Sequence, residues 1–110
     1  MISRRIVSRL MLTLAVAGLA SQSIANAEEV TIKIENFTFN PAELTIKPGT
    51  TVTWENADDI PHSVVENTAK FRSKPLDTGD KFTMAFTEPG EVAYYCGFHS
   101  HMTGKIIVKP

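Results

Sequence analysis

One stretch of the chain places three metal-binding side chains close together: Tyr94-Tyr95-Cys96-Gly97-Phe98-His99-Ser100-His101-Met102. Cys96 is the only cysteine of the protein, and it stands three residues before His99 and six before Met102. A fourth candidate, His62, lies 34 residues upstream of the cysteine and directly follows a proline. A protein site that uses all four side chains would join one short loop to a distant segment of the chain.

The four candidate ligands combine two imidazoles, a thiolate and a thioether. Such a set is typical of a mononuclear copper site that transfers electrons, because soft sulfur suits Cu(I) and imidazole serves both copper oxidation states. Four protein ligands leave no vacant position for a substrate, which argues against a catalytic metal centre. The 3 histidines of the chain are too few for a multicopper cluster. We therefore do not expect an enzyme.

Plainer interpretations of these residues stay open at this point. Cys96 could be an inert buried thiol, and Met102 could fill a hydrophobic core. His62 could be a histidine of a turn with no metal to bind. His101 could compete with His99 as the imidazole ligand, bind a second metal at the surface, or be solvated beside the site.

Residues 1–27 have the features of a cleaved secretory signal peptide. Three arginines lie among the first nine residues, an apolar run follows from Leu10 to Ala20, and Ala25-Asn26-Ala27 is a small-x-small cleavage signature. The apolar run is shorter than the roughly 20 residues that span a bilayer, although an uncleaved anchor is the alternative. We expect a soluble protein exported to the periplasm, without stable membrane insertion. The Arg4-Arg5 pair leaves open whether export is twin-arginine or general secretory.

Residues 28–110 are expected to form one small domain, near the lower size at which a hydrophobic core suffices. They hold all 12 acidic residues and 8 of the 11 basic ones, which gives a formal charge of −4. With no basic excess, nucleic acid is not an expected partner. A single cysteine excludes an internal disulfide, and a lone thiol in an oxidising compartment is well explained by metal ligation.

Apolar and polar residues alternate in several short segments, which is the period-2 pattern of half-buried strands. The apolar members are Val30, Ile32, Ile34, Leu44, Ile46, Val52, Trp54, Phe82, Met84, Phe86, Val92, Tyr94, Ile106 and Val108. The alternation continues into Cys96, whose thiol is therefore expected to point inward. Residues 66–80 lack the pattern and are expected to form a long loop with a short strand or helical turn. The sequence predicts an all-β protein with an antiparallel β-sandwich.

The ligand run and its flanks resemble the cupredoxins, in particular the plastocyanin/amicyanin group. The resemblance is carried by Cys96-x2-His99-x2-Met102, Pro61-His62, Thr51-Val52-Thr53-Trp54-x-Asn56, Phe86-Thr87-Glu88-Pro89-Gly90 and Met102-x-Gly104-Lys105-Ile106-x-Val108. The two-residue spacing between the second histidine and the methionine is similar to that of amicyanins. The resemblance covers residues 37–108. It implies a Greek-key β-sandwich of about seven to eight strands. It also implies one type 1 copper ion near one end, held by His62, Cys96, His99 and Met102.

The same resemblance implies a small periplasmic carrier that shuttles single electrons between larger redox proteins. A donor and an acceptor are expected to dock transiently near His99, Phe98 and Pro61, where apolar side chains would surround the edge of the imidazole. A monomer is expected. A second hypothesis for the function is copper delivery or storage without electron transfer. A third hypothesis is a metal-free sandwich with a structural role.

Two further features near the ligands carry expectations. The Ser63 hydroxyl follows His62 directly and is expected to link the two ligand segments by a hydrogen bond. Basic residues occupy every second position in one segment, at Lys70, Arg72 and Lys74. They form either a docking strip for an acidic partner or a solvated face.

Overall fold

Eight β-strands build residues 28–110, the part of the chain that the computed structural model describes. They are β1 (Glu29–Glu35), β2 (Thr38–Asn40), β3 (Glu43–Ile46), β4 (Thr50–Asn56), β5 (Val65–Glu66), β6 (Lys81–Phe86), β7 (Gly90–Cys96) and β8 (His99–Val108). The expected signal peptide, residues 1–27, lies outside the described residues. Within the described range, no helix is long and apolar enough to cross a membrane.

The strands form two four-stranded sheets that share one apolar core. The first sheet has the order β2-β1-β4-β6 and the second the order β3-β8-β7-β5. Buried side chains from both sheets belong to a single hydrophobic cluster. The expected all-β sandwich is confirmed, and the strand number agrees with the seven to eight that the family resemblance implies.

Each sheet also contains a parallel pair that the antiparallel prediction did not include. β1 runs parallel to β4, and β3 runs parallel to β8. The reason lies in the path of the chain, which bends after Asn40 and crosses to the other sheet without reversing. The tight turn closed by the hydrogen bond from the Thr50 N–H to the Lys47 carbonyl (3.2 Å) then reverses the chain. This reversal brings β4 back beside β1 in the same direction.

The core follows the predicted alternation along the strands. In β4 every second residue is buried, and Trp54 is fully enclosed. The Trp54 ring lies 5.4 Å from the ring of Tyr94 and 5.6 Å from that of Phe82, measured between centroids. Phe86 is nearly buried beside them. Burial of an aromatic side chain of this size contributes about 1.5–3 kcal/mol to stability, so these rings fix how the two sheets meet.

Segment 66–80, which lacks the alternation of a strand, is a long loop with a short strand at its start. A short strand is one of the two forms that the sequence predicted for this segment; the other was a helical turn. β5 pairs with β7, and Arg72 forms an isolated bridge with Val65 of β5. A second bridge joins Leu76 to His62 through two backbone hydrogen bonds of 2.7 and 3.1 Å. The loop therefore returns along the segment that carries the candidate histidine ligand and holds it in place.

The burial of Tyr94 carries a testable consequence at high pH. Burial raises the pKa of Tyr94 to about 12, and the adjacent Trp54 only partly opposes this. A Tyr95→Phe variant leaves Tyr94 as the single tyrosine, and we expect its phenolate absorbance to appear with a midpoint near pH 12. Because the unfolded state loses this proton near its ordinary pKa of about 10, stability should fall as pH rises from about 10 toward 12. A midpoint near 10 in the folded variant would contradict the buried placement.

Candidate metal centre

Cys96 and His99 are brought together by the hairpin between β7 and β8. Cys96 ends β7 and His99 begins β8, and the two residues pair across the hairpin with Gly97 and Phe98 at its tip. The alternation of β7 turns the Cys96 thiol into the core, where it is fully buried, as predicted. The distance from Cys96 Sγ to His99 Nδ1 is 3.7 Å. His99 itself is partly exposed at the end of the sandwich.

His62 approaches the same sulfur from the segment between β4 and β5. Its side chain is fully buried, and its Nδ1 lies 3.6 Å from Cys96 Sγ. The donor atoms of His62, Cys96 and His99 all lie within 4.8 Å of one another. Three donors that face one point fit a single metal ion without rearrangement of the fold.

Met102 lies on β8, three residues beyond His99. It is almost fully buried and belongs to the same apolar cluster as Cys96. A thioether buried in the same cluster as Cys96 is available as a further, weaker donor. Thiolate and thioether sulfur together with imidazole favour copper over magnesium or calcium, which prefer oxygen ligands.

A carboxylate fixes the orientation of the His62 ring. Asp58 Oδ2 lies 2.8 Å from His62 Nε2, and because a carboxylate can only accept, Nε2 carries the proton. Nδ1 is then the free acceptor that faces the cysteine, which is the tautomer a metal ligand requires. Sequence reasoning missed Asp58, although an acidic residue four positions before a candidate histidine ligand is a visible signal.

Asp58 also anchors the turn between β1 and β2. Its carboxylate accepts the backbone N–H groups of Asn36 (2.7 Å) and Phe37 (3.0 Å). Burial raises the pKa of Asp58, but these two amides and the His62 imidazole outweigh that effect, and the pKa lies below its ordinary value. An ionised Asp58 thus ties a surface turn to a candidate ligand.

The anchored turn places Phe37 against both imidazoles. Its ring meets that of His62 edge-on at 5.4 Å and that of His99 at 5.0 Å between centroids. Phe37 has a backbone φ of 58°, which is uncommon for an aromatic residue. Sequence reasoning missed this contact, and no sequence pattern indicated it, because the contact depends on that turn geometry.

Ser63 links the two ligand segments, as expected. Its hydroxyl accepts the Gly97 N–H at 2.9 Å, and its own backbone N–H donates to Cys96 Sγ at 3.4 Å. The hydrogen bonds hold the His62 segment and the hairpin at a fixed separation.

His101 lies apart from the cluster. Its side chain is exposed on β8, and the group of converging donors found among residues 28–110 does not include it. We expect His101→Ala to leave the visible spectrum of the copper-loaded protein nearly unchanged, because no donor is lost. His99→Ala is the matched comparison and should alter the spectrum strongly. A large spectral change in His101→Ala would instead make His101 a ligand or a direct neighbour of one.

Comparisons with known proteins identify the family to which the chain is similar. The family model for the cupredoxin-like domain matches residues 8–108. Amicyanin-alpha of Methylorubrum extorquens is 31% identical over an alignment of 106 positions, which covers 87% of this chain and 85% of that protein. Chloroplastic plastocyanin of Tetradesmus obliquus is 34% identical over an alignment of 110 positions, which covers 86% of this chain and 76% of that protein.

Solved structures that are similar to this chain include cupredoxins. A purple cupredoxin from Nitrosopumilus maritimus is 37% identical, with a TM-score of 0.67, and the match covers 73% of this chain and 99% of that one. The relatives and the converging donors together support a type 1 copper electron carrier, with one copper ion as its cofactor. The chain belongs to the cupredoxin-like family.

Proposed function

We propose that His62, Cys96, His99 and Met102 hold one copper ion, and that the protein is a soluble periplasmic carrier of single electrons. Cys96 would supply a thiolate ligand, His62 and His99 two imidazole ligands, and Met102 a weaker thioether ligand. The observation that carries the proposal is the convergence of a buried thiol and two imidazole nitrogens within 4.8 Å of one another, at the end of the sandwich. Four protein ligands leave no position for a substrate, so we propose a carrier and not an enzyme.

Electron transfer is fast when the ligand shell hardly moves between oxidation states, and the fold restrains each ligand. The bridge to Leu76 and the Asp58 carboxylate hold His62, while Ser63 joins its segment to the hairpin. Bound copper would supply a one-electron Cu(I)/Cu(II) couple. The residues around it would keep water out and hold the ligands at nearly constant positions.

His99 is the proposed port for the electron. It is partly exposed at the end of the sandwich, whereas His62 and Cys96 are fully buried. Phe98 and Pro61 are exposed beside these ligands in the chain and would give donor and acceptor proteins an apolar contact. Brief redox encounters use small interfaces of this kind. We propose a monomer, which light scattering of the eluted protein tests.

Redox cycling separates electron transfer from copper storage. We expect the copper-loaded protein to give and accept one electron per chain over repeated cycles in a spectroelectrochemical cell, without loss of copper. A Cu(I) chelator present during the reduced phase should remove little metal, because the buried ligands are held on several sides. Rapid loss of copper to the chelator on each reduction would favour delivery or storage instead.

Export to the periplasm with cleavage of the signal peptide is tested by determining where the mature protein begins. Expression of the full chain in a Gram-negative bacterium should yield a periplasmic protein whose mass corresponds to a start at Glu28. An Ala27→Trp variant should block this cleavage, because signal-peptide cleavage requires a small residue there. Full-length protein retained in the membrane fraction of the unaltered chain would support an uncleaved anchor.

A further inference from the structure

The large apolar side chains that remain exposed within residues 28–110 both lie at the metal centre. Phe37 is 51% exposed and Phe98 is 54% exposed. The Phe37 ring lies 5.0 Å from that of His99, and Phe98 precedes His99 in the hairpin. Exposed apolar patches rimmed by polar residues commonly mark sites of protein contact. The surroundings of this patch therefore indicate what kind of partner it fits.

A guanidinium group borders the Phe98 side of the patch. Arg72 lines a shallow groove together with Ser63, Ser73, Pro75, Gly97 and Phe98. Arg72 Nη1 lies 3.7 Å from the position that a Cβ on Gly97 would occupy. Its positive charge thus stands beside the hairpin that carries the cysteine and histidine ligands.

The position of Arg72 follows from the strand-like course of its segment. The Ser73 N–H donates to the Val64 carbonyl at 2.8 Å, and the Glu66 N–H donates to the Phe71 carbonyl at 3.0 Å. Alternation along this outer edge buries Ser73 and partly buries Phe71. It leaves three cations exposed, Lys70, Arg72 and Lys74, which we call the basic edge. The Glu66 carboxylate lies close to Lys70, so Arg72 and Lys74 are the members that a partner can use.

The basic edge stands out against the charge of the domain as a whole. Residues 28–110 carry a formal charge of −4, and the ion pairs between lysine and glutamate side chains within that range are Lys33–Glu55 and Lys105–Glu91. Neither of them uses a cation of the basic edge. On the Phe37 side of the patch lies the ionised Asp58, followed by the exposed Asp59. The patch thus has a basic flank and an acidic flank.

We propose that Phe37, Phe98 and the basic edge form one docking surface, and that the partner it fits is an acidic redox protein. The partner's carboxylates would meet Arg72 and Lys74, and its apolar surface would cover the two phenylalanine rings. Arginine suits this role because its planar guanidinium can pair with a carboxylate through two hydrogen bonds. Complementary charge chiefly accelerates association and orients the partner. This proposal rests on the proposed electron-transfer function.

Charge reversal at one position, with a matched control, tests the proposal. Arg72→Glu and Lys47→Glu change the net charge equally, but Lys47 lies in the turn before β4, at the end of the sandwich away from the hairpin. The measurement is the rate at which hexacyanoferrate(III) oxidises the reduced, copper-loaded protein at low ionic strength. One electron passes from the protein to Fe(III), giving hexacyanoferrate(II), and no covalent bond is made or broken.

We expect Arg72→Glu to lower this rate about tenfold, because local charge at a contact surface controls association, whereas Lys47→Glu should change it little. With a cationic oxidant, tris(phenanthroline)cobalt(III), the effect of Arg72→Glu should reverse in sign. Equal effects in the two variants would overturn the docking surface. Unaltered protein that takes up no copper, or that fails to exchange electrons, would instead overturn the proposed function.

A second measurement needs no electron transfer. Paramagnetic hexacyanochromate(III), added to the diamagnetic Cu(I) protein, should broaden the amide signals of Arg72, Gly97 and Phe98 in an NMR spectrum. The Arg72→Glu variant should lose that broadening and keep its folded spectrum. Broadening that centres on Lys33 or Lys47, with none at the hairpin, would show that the basic edge does not attract anions and would overturn the proposal.

Discussion

Replacing Cys96 by serine is expected to abolish the intense visible band of the Cu(II) protein while leaving the domain folded. The band arises from charge transfer between a thiolate and Cu(II), and Cys96 is the only cysteine of the chain. A serine hydroxyl is a far weaker and harder donor, so the remaining imidazoles should bind copper loosely and without strong colour. Visible absorption of both proteins loaded with one equivalent of copper measures the effect.

The fold should survive this change, because it removes little volume from the core. The serine hydroxyl can accept the Ser63 N–H and donate to His62 Nδ1, the two groups that face Cys96 Sγ at this fully enclosed position. We therefore expect a loss of stability of about 1 kcal/mol, which circular dichroism during thermal unfolding measures. His101→Ala serves as the control for altering a residue near the site, since its side chain is exposed. A Cys96→Ser protein that keeps the visible band would show that the ligand set is wrong.

Replacing Gly104 by alanine is expected to destabilise the protein strongly. Gly104 on β8 pairs with Tyr94 on β7, and a Cβ at Gly104 would overlap the phenol ring of Tyr94. Tyr94 is 1% exposed and packs against Trp54 and Phe39, so its ring cannot move deeper into the core without displacing them. Overpacking of this kind costs about 1–3 kcal/mol and occasionally more. Urea unfolding followed by tryptophan fluorescence measures the loss.

A double mutant separates this overlap from a general weakening of β8. Tyr94→Leu removes the ring that the new methyl group would meet, so Gly104→Ala should cost much less in that background. Thr103→Ala, at the neighbouring exposed position, controls for alanine in the strand. If the cost of Gly104→Ala is the same with tyrosine and with leucine at position 94, the close packing of the two residues is wrong.

The sequence was sufficient to find the candidate ligands because their chemistry is unusual and local. A lone cysteine followed by histidine and methionine at short spacing predicts a hairpin site, and Cys96 and His99 do pair across a hairpin. Strand alternation likewise placed Trp54 and Cys96 in the core, where both are fully buried. These features depend on periodicity and residue type, which are visible without coordinates.

Other features depend on how distant segments meet, and the sequence did not reveal them. The parallel pairing of β1 with β4 follows from a crossing of the chain between sheets after Asn40. Phe37 reaches both imidazoles only because its backbone has a φ of 58° and because Asp58 binds its amide. The groove between Arg72 and the hairpin likewise requires the outer edge of the second sheet to be in place.

An anaerobic titration of the metal-free protein with copper tests the central claim most directly. Visible absorption and electron spin resonance would be recorded together as Cu(II) is added. We expect an intense thiolate-to-copper band that saturates at one equivalent, a spin-resonance signal of the type 1 kind, and full bleaching by a one-electron reductant. Copper that binds without the thiolate band, or a protein that takes up no copper at one equivalent, would contradict the account.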